Sequence, residues 1–208
     1  MVNNGLSREV AMKKLAVVVQ VLFLVVASLV FADEAPLPKP DILTEETVTT
    51  AQRLSKYDTI VIRDFSTEGL VYDRIDEEEK PRVDALKPLI VKSLTLSVEA
   101  EMKKRKLFKN VVVNGEAGEN GVILEGSFTE FNGGNRALRF WVGFGAGKTY
   151  IKVKGRLVDA QTGKELAAFN DRETGYKGVA SLESFDDLFP HQAQSVGEHI
   201  GEFIEKLY

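Results

Sequence analysis

Hydrophobic positions recur at two different periods along this chain of 208 residues. Between Tyr150 and Asp159, Ile151, Val153, Gly155 and Leu157 alternate with Lys152, Lys154 and Arg156. Successive strand side chains point to opposite faces, so this pattern predicts a strand with one wet side. Val122, Leu124, Gly126 and Phe128 alternate in the same way with Glu125, Ser127 and Thr129. After Asp159-Ala-Gln-Thr-Gly-Lys164, Leu166 to Asn170 return as a further strand. That connection reads as a hairpin, because the aspartate can bond local amides and Gly163 can take positive φ. Tyr57 to Phe65 is different: its consecutive β-branched residues suit a central strand buried on both faces. Val111-Val-Val113 is a short strand.

The second period is close to four. Leu86, Ile90, Leu94, Val98 and Met102 mark one apolar stripe on a helix from about Arg82 to Leu107,. Val196, Ile200, Phe203, Ile204 and Leu207 do the same for a last helix from Pro190. There Ala193, Gly197 and Gly201 place a small residue at every fourth position, which suggests close packing of this helix on the sheet. Residues 66–82 read as an acidic loop and 175–187 as a polar one. The order β-α-β-β-β-β-α predicts an α+β fold (an α/β sandwich). Its mixed sheet would have about five strands, with both helices packed on one face and the other face partly exposed.

The first 32 residues stand outside this scheme. Met12-Lys13-Lys14 precedes an apolar run from Leu15 that ends in Val30-Phe31-Ala32, ahead of Asp33-Glu34. A basic start, an apolar stretch and a small-residue end are the parts of a secretory signal peptide, with cleavage after Ala32. The run is also close to the ~17–18 residues of a minimal membrane span. The cleavage site and the helix-breaking Pro36, Pro38 and Pro40 favour the leader. Residues 33–53, rich in proline and then threonine, read as a linker, leaving 54–208 as a single domain. The expected location is therefore the periplasm. With no cysteine in the chain, neither a lipid-modified amino terminus nor a disulfide is expected,. The net charge of −4 argues against a nucleic-acid partner, whose phosphates bind through excess positive charge,.

Candidate chemistry is sparse. Gly143-Phe-Gly-Ala-Gly-Lys-Thr149 looks like a phosphate loop, but the motif's first glycine would fall on Val142, and the segment leads into a strand,. The helix N-terminus that would face the phosphates is therefore missing. His191 and His199 are two helical turns apart, too far to share a metal without other ligands; they read as surface residues. Asp58 and Asp64 lie at opposite ends of one strand. No serine sits in a Gly-x-Ser-x-Gly elbow,. No catalytic, metal or cofactor site is expected. The segment that stands out is Gly133 to Thr149. There Arg136, Arg139, Phe140, Trp141, Phe144 and Lys148 are interleaved with glycines. Such a segment either extends its flanking strands over the domain's own core or forms a contact surface. The surface would face an envelope protein, a second copy or the membrane interface.

Phe128-Thr-Glu-Phe-Asn132, Gly134-x-Arg136, Arg139-Phe140, Val142-Gly-Phe-Gly-Ala-Gly147 and Leu157-Val-Asp-Ala-Gln-Thr-Gly-Lys164 together resemble a bacterial envelope family, domain of unknown function 4410. The resemblance runs from about Tyr57 to the end. That family has no assigned activity, so the resemblance implies no catalytic residues. Asp64-Phe65 and the Leu-Val-Asp-Ala-x-Thr-Gly hairpin are more distantly similar to a wider group, the curli secretion channel and the lipoproteins that activate penicillin-binding proteins. These resemblances imply a non-enzymatic periplasmic accessory protein working through protein contacts. An oligomeric outer-membrane assembly or secretion component is the alternative, and an unrecognised nucleotide-binding or hydrolytic protein a more remote one.

Overall fold

The strongest alternation in the sequence builds the longest strands. In the computed structural model, which describes residues 34–134, 148–174 and 184–208, the fold is that of Pro36–Tyr208. In chain order the elements are β1 (Glu45–Val48), β2 (Thr59–Ile62), β3 (Val71–Asp73), α1 (Lys80–Arg105), β4 (Asn110–Val113), β5 (Gly121–Asn132), β6 (Tyr150–Asp159), β7 (Glu165–Thr174) and α2 (Phe185–Leu207). The sheet runs β1-β7-β6-β5-β2-β4, with β3 continuing beside the far end of β5. β2 is parallel to both β4 and β5, whereas β5, β6, β7 and β1 pair antiparallel. The result is the expected mixed sheet of an α+β fold, with seven strands among the described residues rather than about five.

One face of the sheet carries the core. Ile60, Ile62, Leu124, Phe128, Val153, Leu157 and Phe169 join the α1 stripe (Ile90, Leu94, Val98, Met102) and the α2 stripe (Val196, Ile200, Phe203) in one buried cluster. β2 is buried at Ile60, Val61 and Ile62, as its β-branched run predicts,. In β5 the register shifts between Phe128 and Glu130. This bulge reverses the inward parity, so that Phe131 also faces the core and stacks on Phe189 at 5.0 Å between ring centroids,. At the hairpin after β6, the Asp159 carboxylate accepts from the amides of Gln161 (3.0 Å) and Thr162 (2.9 Å), and Gly163 has φ +71°.

Four details differ from the sequence expectation. Within the stretch expected to be a linker, Glu45–Val48 forms a strand paired with β7. It was hidden because Glu46, a carboxylate, occupies an inward position. It is stabilised there by the amides of Asp41 (2.8 Å), Ile42 (2.7 Å) and Leu43 (2.8 Å). The acidic loop contains β3, which pairs in parallel with Glu130–Asn132. The last helix begins at Phe185 rather than Pro190, because Ser184 caps it by accepting from the Asp186 amide at 3.1 Å,. Asp186 and Asp187 thus lie in its first turn, where carboxylates favour the helix dipole,. Finally, the small residues of α2 face α1 rather than the sheet. A β-carbon at Gly197 would lie 2.5 Å from Ser97 Cβ, and one at Gly201 2.6 Å from Glu101 Cβ.

Candidate functional site

Both helices cover one face of the sheet, and the alternating positions of β1, β5, β6 and β7 form an open face. Across it the register aligns Glu125 with Arg156 and Ala168, then Ser127 with Lys154 and Asn170, then Glu130 with Lys152 and Arg172. Arg156 donates to Glu125 Oε1 from Nε (2.9 Å) and Nη2 (2.6 Å) and lies 3.8 Å from Glu165. Lys152 donates to Glu130 at 2.6 Å, and the Tyr150 hydroxyl donates to the same carboxylate. Burial disfavours ionisation of Glu130, but the bonds from Lys152 and Tyr150 outweigh it and hold the carboxyl below its usual range,. The Arg172 guanidinium stacks 3.9 Å over the Tyr150 ring,.

Small residues hollow this surface. Ser127 and Ala168 sit beside the paired Gly126 and Gly155, and together with Glu45, Glu125, Lys154, Arg156, Glu165 and Asn170 they line a depression of about 600 Å³. The glycines are required from the other side of the sheet. A β-carbon on Gly126 would lie 2.5 Å from the Phe65 ring, and one on Gly155 2.4 Å from the Phe169 ring. The Phe65 and Phe169 rings press against the backbone there, and the two glycines leave the sheet between core and depression without side-chain bulk. The wall on the β1 side is closed by Asn170 Nδ2 donating to Glu45 at 2.7 Å.

The carboxylates of this face are matched by Arg156, Lys152 or Asn170, with the Tyr150 hydroxyl also on Glu130. Among the described residues no group of three or more His, Asp or Glu could hold a metal ion. Asp58 and Asp64 have separate partners: Asp58 pairs with Lys109 at 2.7 Å, whereas Asp64 accepts from Thr95 (2.6 Å) and Asn114 (2.9 Å).

Of the sequence-predicted contact residues, Lys148 is exposed just before β6. Arg136, Arg139, Phe140, Trp141 and Phe144 lie outside the described residues. Thr149, the last residue of the phosphate-loop look-alike, is buried. Its hydroxyl and carbonyl both accept from Gln192 Nε2, at 2.9 and 3.2 Å. A hydroxyl committed to a helix glutamine, followed at once by a strand, has no place in a phosphate cradle. His191 is exposed as expected, but His199 is not an ordinary surface histidine: its Nδ1 lies 3.2 Å from the buried carboxylate of Asp171. The available signal was Asp171 itself, a charge at an inward position two residues beyond Phe169.

No curated protein matches this chain. Solved structures that are similar to it include the PelC dodecamer from Paraburkholderia phytofirmans (11% identity, TM-score 0.45, covering 76% of this chain and 94% of that one). A Xanthomonas campestris protein of domain of unknown function 330 has 10% identity and a TM-score of 0.41, covering 77% of this chain and 90% of that one. Lipoprotein GNA1162 from Neisseria meningitidis has 15% identity and a TM-score of 0.32, covering 69% and 96%. No helix among the described residues is long and apolar enough to cross a membrane. The family model of domain of unknown function 4410 matches residues 60–178, more than half of the chain and including β2 through β7, and the chain belongs to that family.

Proposed function

We propose that this protein is an exported, non-enzymatic accessory protein of the bacterial cell envelope that works through protein–protein contacts. The observation that carries the reading is the open face of the sheet. It is uncovered by either helix, hollowed by Ser127 and Ala168, and rimmed by charged and polar side chains, of which Glu125 is matched to Arg156 and Glu45 to Asn170. Such a surface gives a partner shape and hydrogen bonds without presenting an activated nucleophile. The segment carrying Arg136, Arg139, Phe140, Trp141, Phe144 and Lys148 connects β5 to β6, the two central strands of that face. We read it as a second part of the contact. The leader-like first 32 residues support export,.

In-cell crosslinking with mass spectrometry tests this reading on the wild type, Ala168→Arg, which fills the depression, and Trp141→Ser/Phe144→Ser. Far-UV circular dichroism and light scattering accompany each variant. The expected result is loss of specific crosslinks, to a partner or to a second copy, with the fold retained. Variants that stay folded and keep both the oligomeric state and every wild-type crosslink would overturn the proposal.

A further inference from the structure

The amino-terminal arm supplies two residues of the open-face rim, Glu45 and Thr47, and a buried acid of β7 adds a tie to its backbone pairing. Asp171 lies on the helix-facing side of β7 and is only 5% exposed. Its Oδ1 accepts from the Thr44 hydroxyl (3.0 Å) and amide (3.3 Å), both belonging to the arm. Its Oδ2 lies 3.2 Å from His199 Nδ1 on α2, which is also 3.8 Å from Glu173. One carboxylate thus ties together the arm, the strand β7 beside it and a helix. A buried carboxylate without a counter-charge is costly, and within this cluster the only group able to supply one is His199.

From this geometry we infer that Asp171 and His199 form a pH-responsive clasp that fastens the arm over the edge of β7 and opens as the imidazole loses its proton. The charged groups facing His199 are Asp171 and Glu173 from β7, with Glu198 beside it on its own helix and Glu202 one turn on. The arm contributes the neutral Thr44. Among the described residues the charges acting on the imidazole, Asp171, Glu173 and Glu198, are all negative, so protonation relieves them together.

The direction of the dependence follows. The hydrogen bond to Asp171 pushes the His199 pKa above its ordinary 6.5, against burial, and Glu173 and Glu198 add to the rise,. The stabilisation is therefore complete below 6.5 and is lost as pH rises through the raised folded value. Burial opposes ionisation of Asp171, but the bonds from His199 and Thr44 prevail and hold it below 3.8. Its share is present above 3.8 and is lost as pH falls through the lowered folded value. The clasp is closed between these limits. Opening it loosens the arm at Thr44, next to Glu45 and Thr47 of the rim, while the backbone pairing of Glu45–Val48 with β7 persists. This consequence rests on the contact reading proposed above, whereas the clasp itself does not.

Amide hydrogen exchange on the full chain measures the arm directly, with or without a partner. Protection at residues 44–48 is taken relative to β6 in the same molecule, after normalising intrinsic rates, at about pH 5.5 and about pH 9. Replacing a charge-assisted bond by a neutral one should lower the relative protection about fivefold at the higher pH. His199→Gln, which keeps a donor but no charge, should show the lower protection at both pH values. Thr44→Val, which removes the hydroxyl bond to Asp171 and leaves only the longer amide one, should weaken the protection in the same direction. Equal relative protection of the wild type at the two pH values would overturn the inference, as would a pH response surviving in folded His199→Gln. Loss of crosslinked partners with an intact exchange response would sink the contact reading alone.

Discussion

Adding one methyl group at Gly197 should destabilise this protein, although alanine normally improves a helix by ~1 kcal/mol over glycine. The new β-carbon would stand 2.5 Å from Ser97 Cβ, 2.7 Å from Ser97 Oγ and 2.9 Å from the carbonyl oxygen of Leu94. Carbon atoms at rest are ~3.5–4.0 Å apart, so α1 and α2 would have to separate by about 1 Å. Leu94 O is backbone and Ser97 Cβ sits directly on it, so neither can swing away; only Ser97 Oγ can rotate, at the cost of its own hydrogen bond. Separation would strain the bond from Ser97 Oγ to the Gln194 carbonyl (2.7 Å), worth ~1 kcal/mol,. It would also loosen Leu94, Val98, Val196 and Ile200, all fully buried. Overpacking of this kind costs ~1–3 kcal/mol. With the helix preference offsetting part of the loss, Gly197→Ala should cost about 1–3 kcal/mol net. That corresponds to a Tm lower by roughly 3–10 °C for a domain of this size. Urea denaturation followed by circular dichroism measures the change, and a Ser97→Gly background isolates the cause. Without Ser97 Cβ the same methyl should cost distinctly less. A single variant as stable as wild type, or more stable, would refute the view that the small residues set the helix spacing.

Glu46→Ala should cost about 2–4 kcal/mol, because three amide donors lose their shared acceptor,. Limited proteolysis within residues 36–50 should speed up more than cleavage elsewhere. Tyr57→Phe removes a 2.6 Å bond from a buried hydroxyl to Asp159 and should cost about 1 kcal/mol in urea titrations,. That bond is the largest influence holding the Asp159 carboxyl below 3.8, so the same variant should move its NMR titration upward. An unshifted Asp159 would mean that the hairpin amides alone hold it down.

How much of this was legible in the sequence depends on what each position had to reveal. β6 alternates without interruption, so its strand character, register and wet face are all readable from Ile151 to Leu157. α1 shows its stripe as plainly. The missing strands fail for a local reason. β1 carries Glu46 at an inward position, and only the fold supplies the amides that make a carboxylate acceptable there. β3 is three residues long and owes its pairing to the bulged end of β5. The glycines of α2 were recognisable as a close approach, but spacing alone cannot name the surface approached. The open face is the least legible feature: its depression comes from Ser127 and Ala168 on two strands that do not touch, brought to one place by the registers of β5, β6 and β7.

The two faces of the sheet differ in how much their charged groups matter to stability, which bears on the contact reading proposed above. On the open face, Glu125 with Arg156 and Glu130 with Lys152 are partly solvated pairs, each worth little to folding,. Among the described residues Lys154, between them, has no ion-pair partner. Changes at these positions should therefore alter what the surface binds while leaving the fold nearly as stable. On the covered face the opposite holds. Glu46 and Asp171 are acids amid apolar neighbours, tolerated only because Asp41–Leu43, Thr44 and His199 satisfy them,. Both fasten the same arm, and that arm also carries Glu45 and Thr47 onto the open face. The arm and β7, which carries Asp171 itself beside Ala168 and Asn170, are thus the elements through which a protonation event at the Asp171–His199 pair can reach the open face.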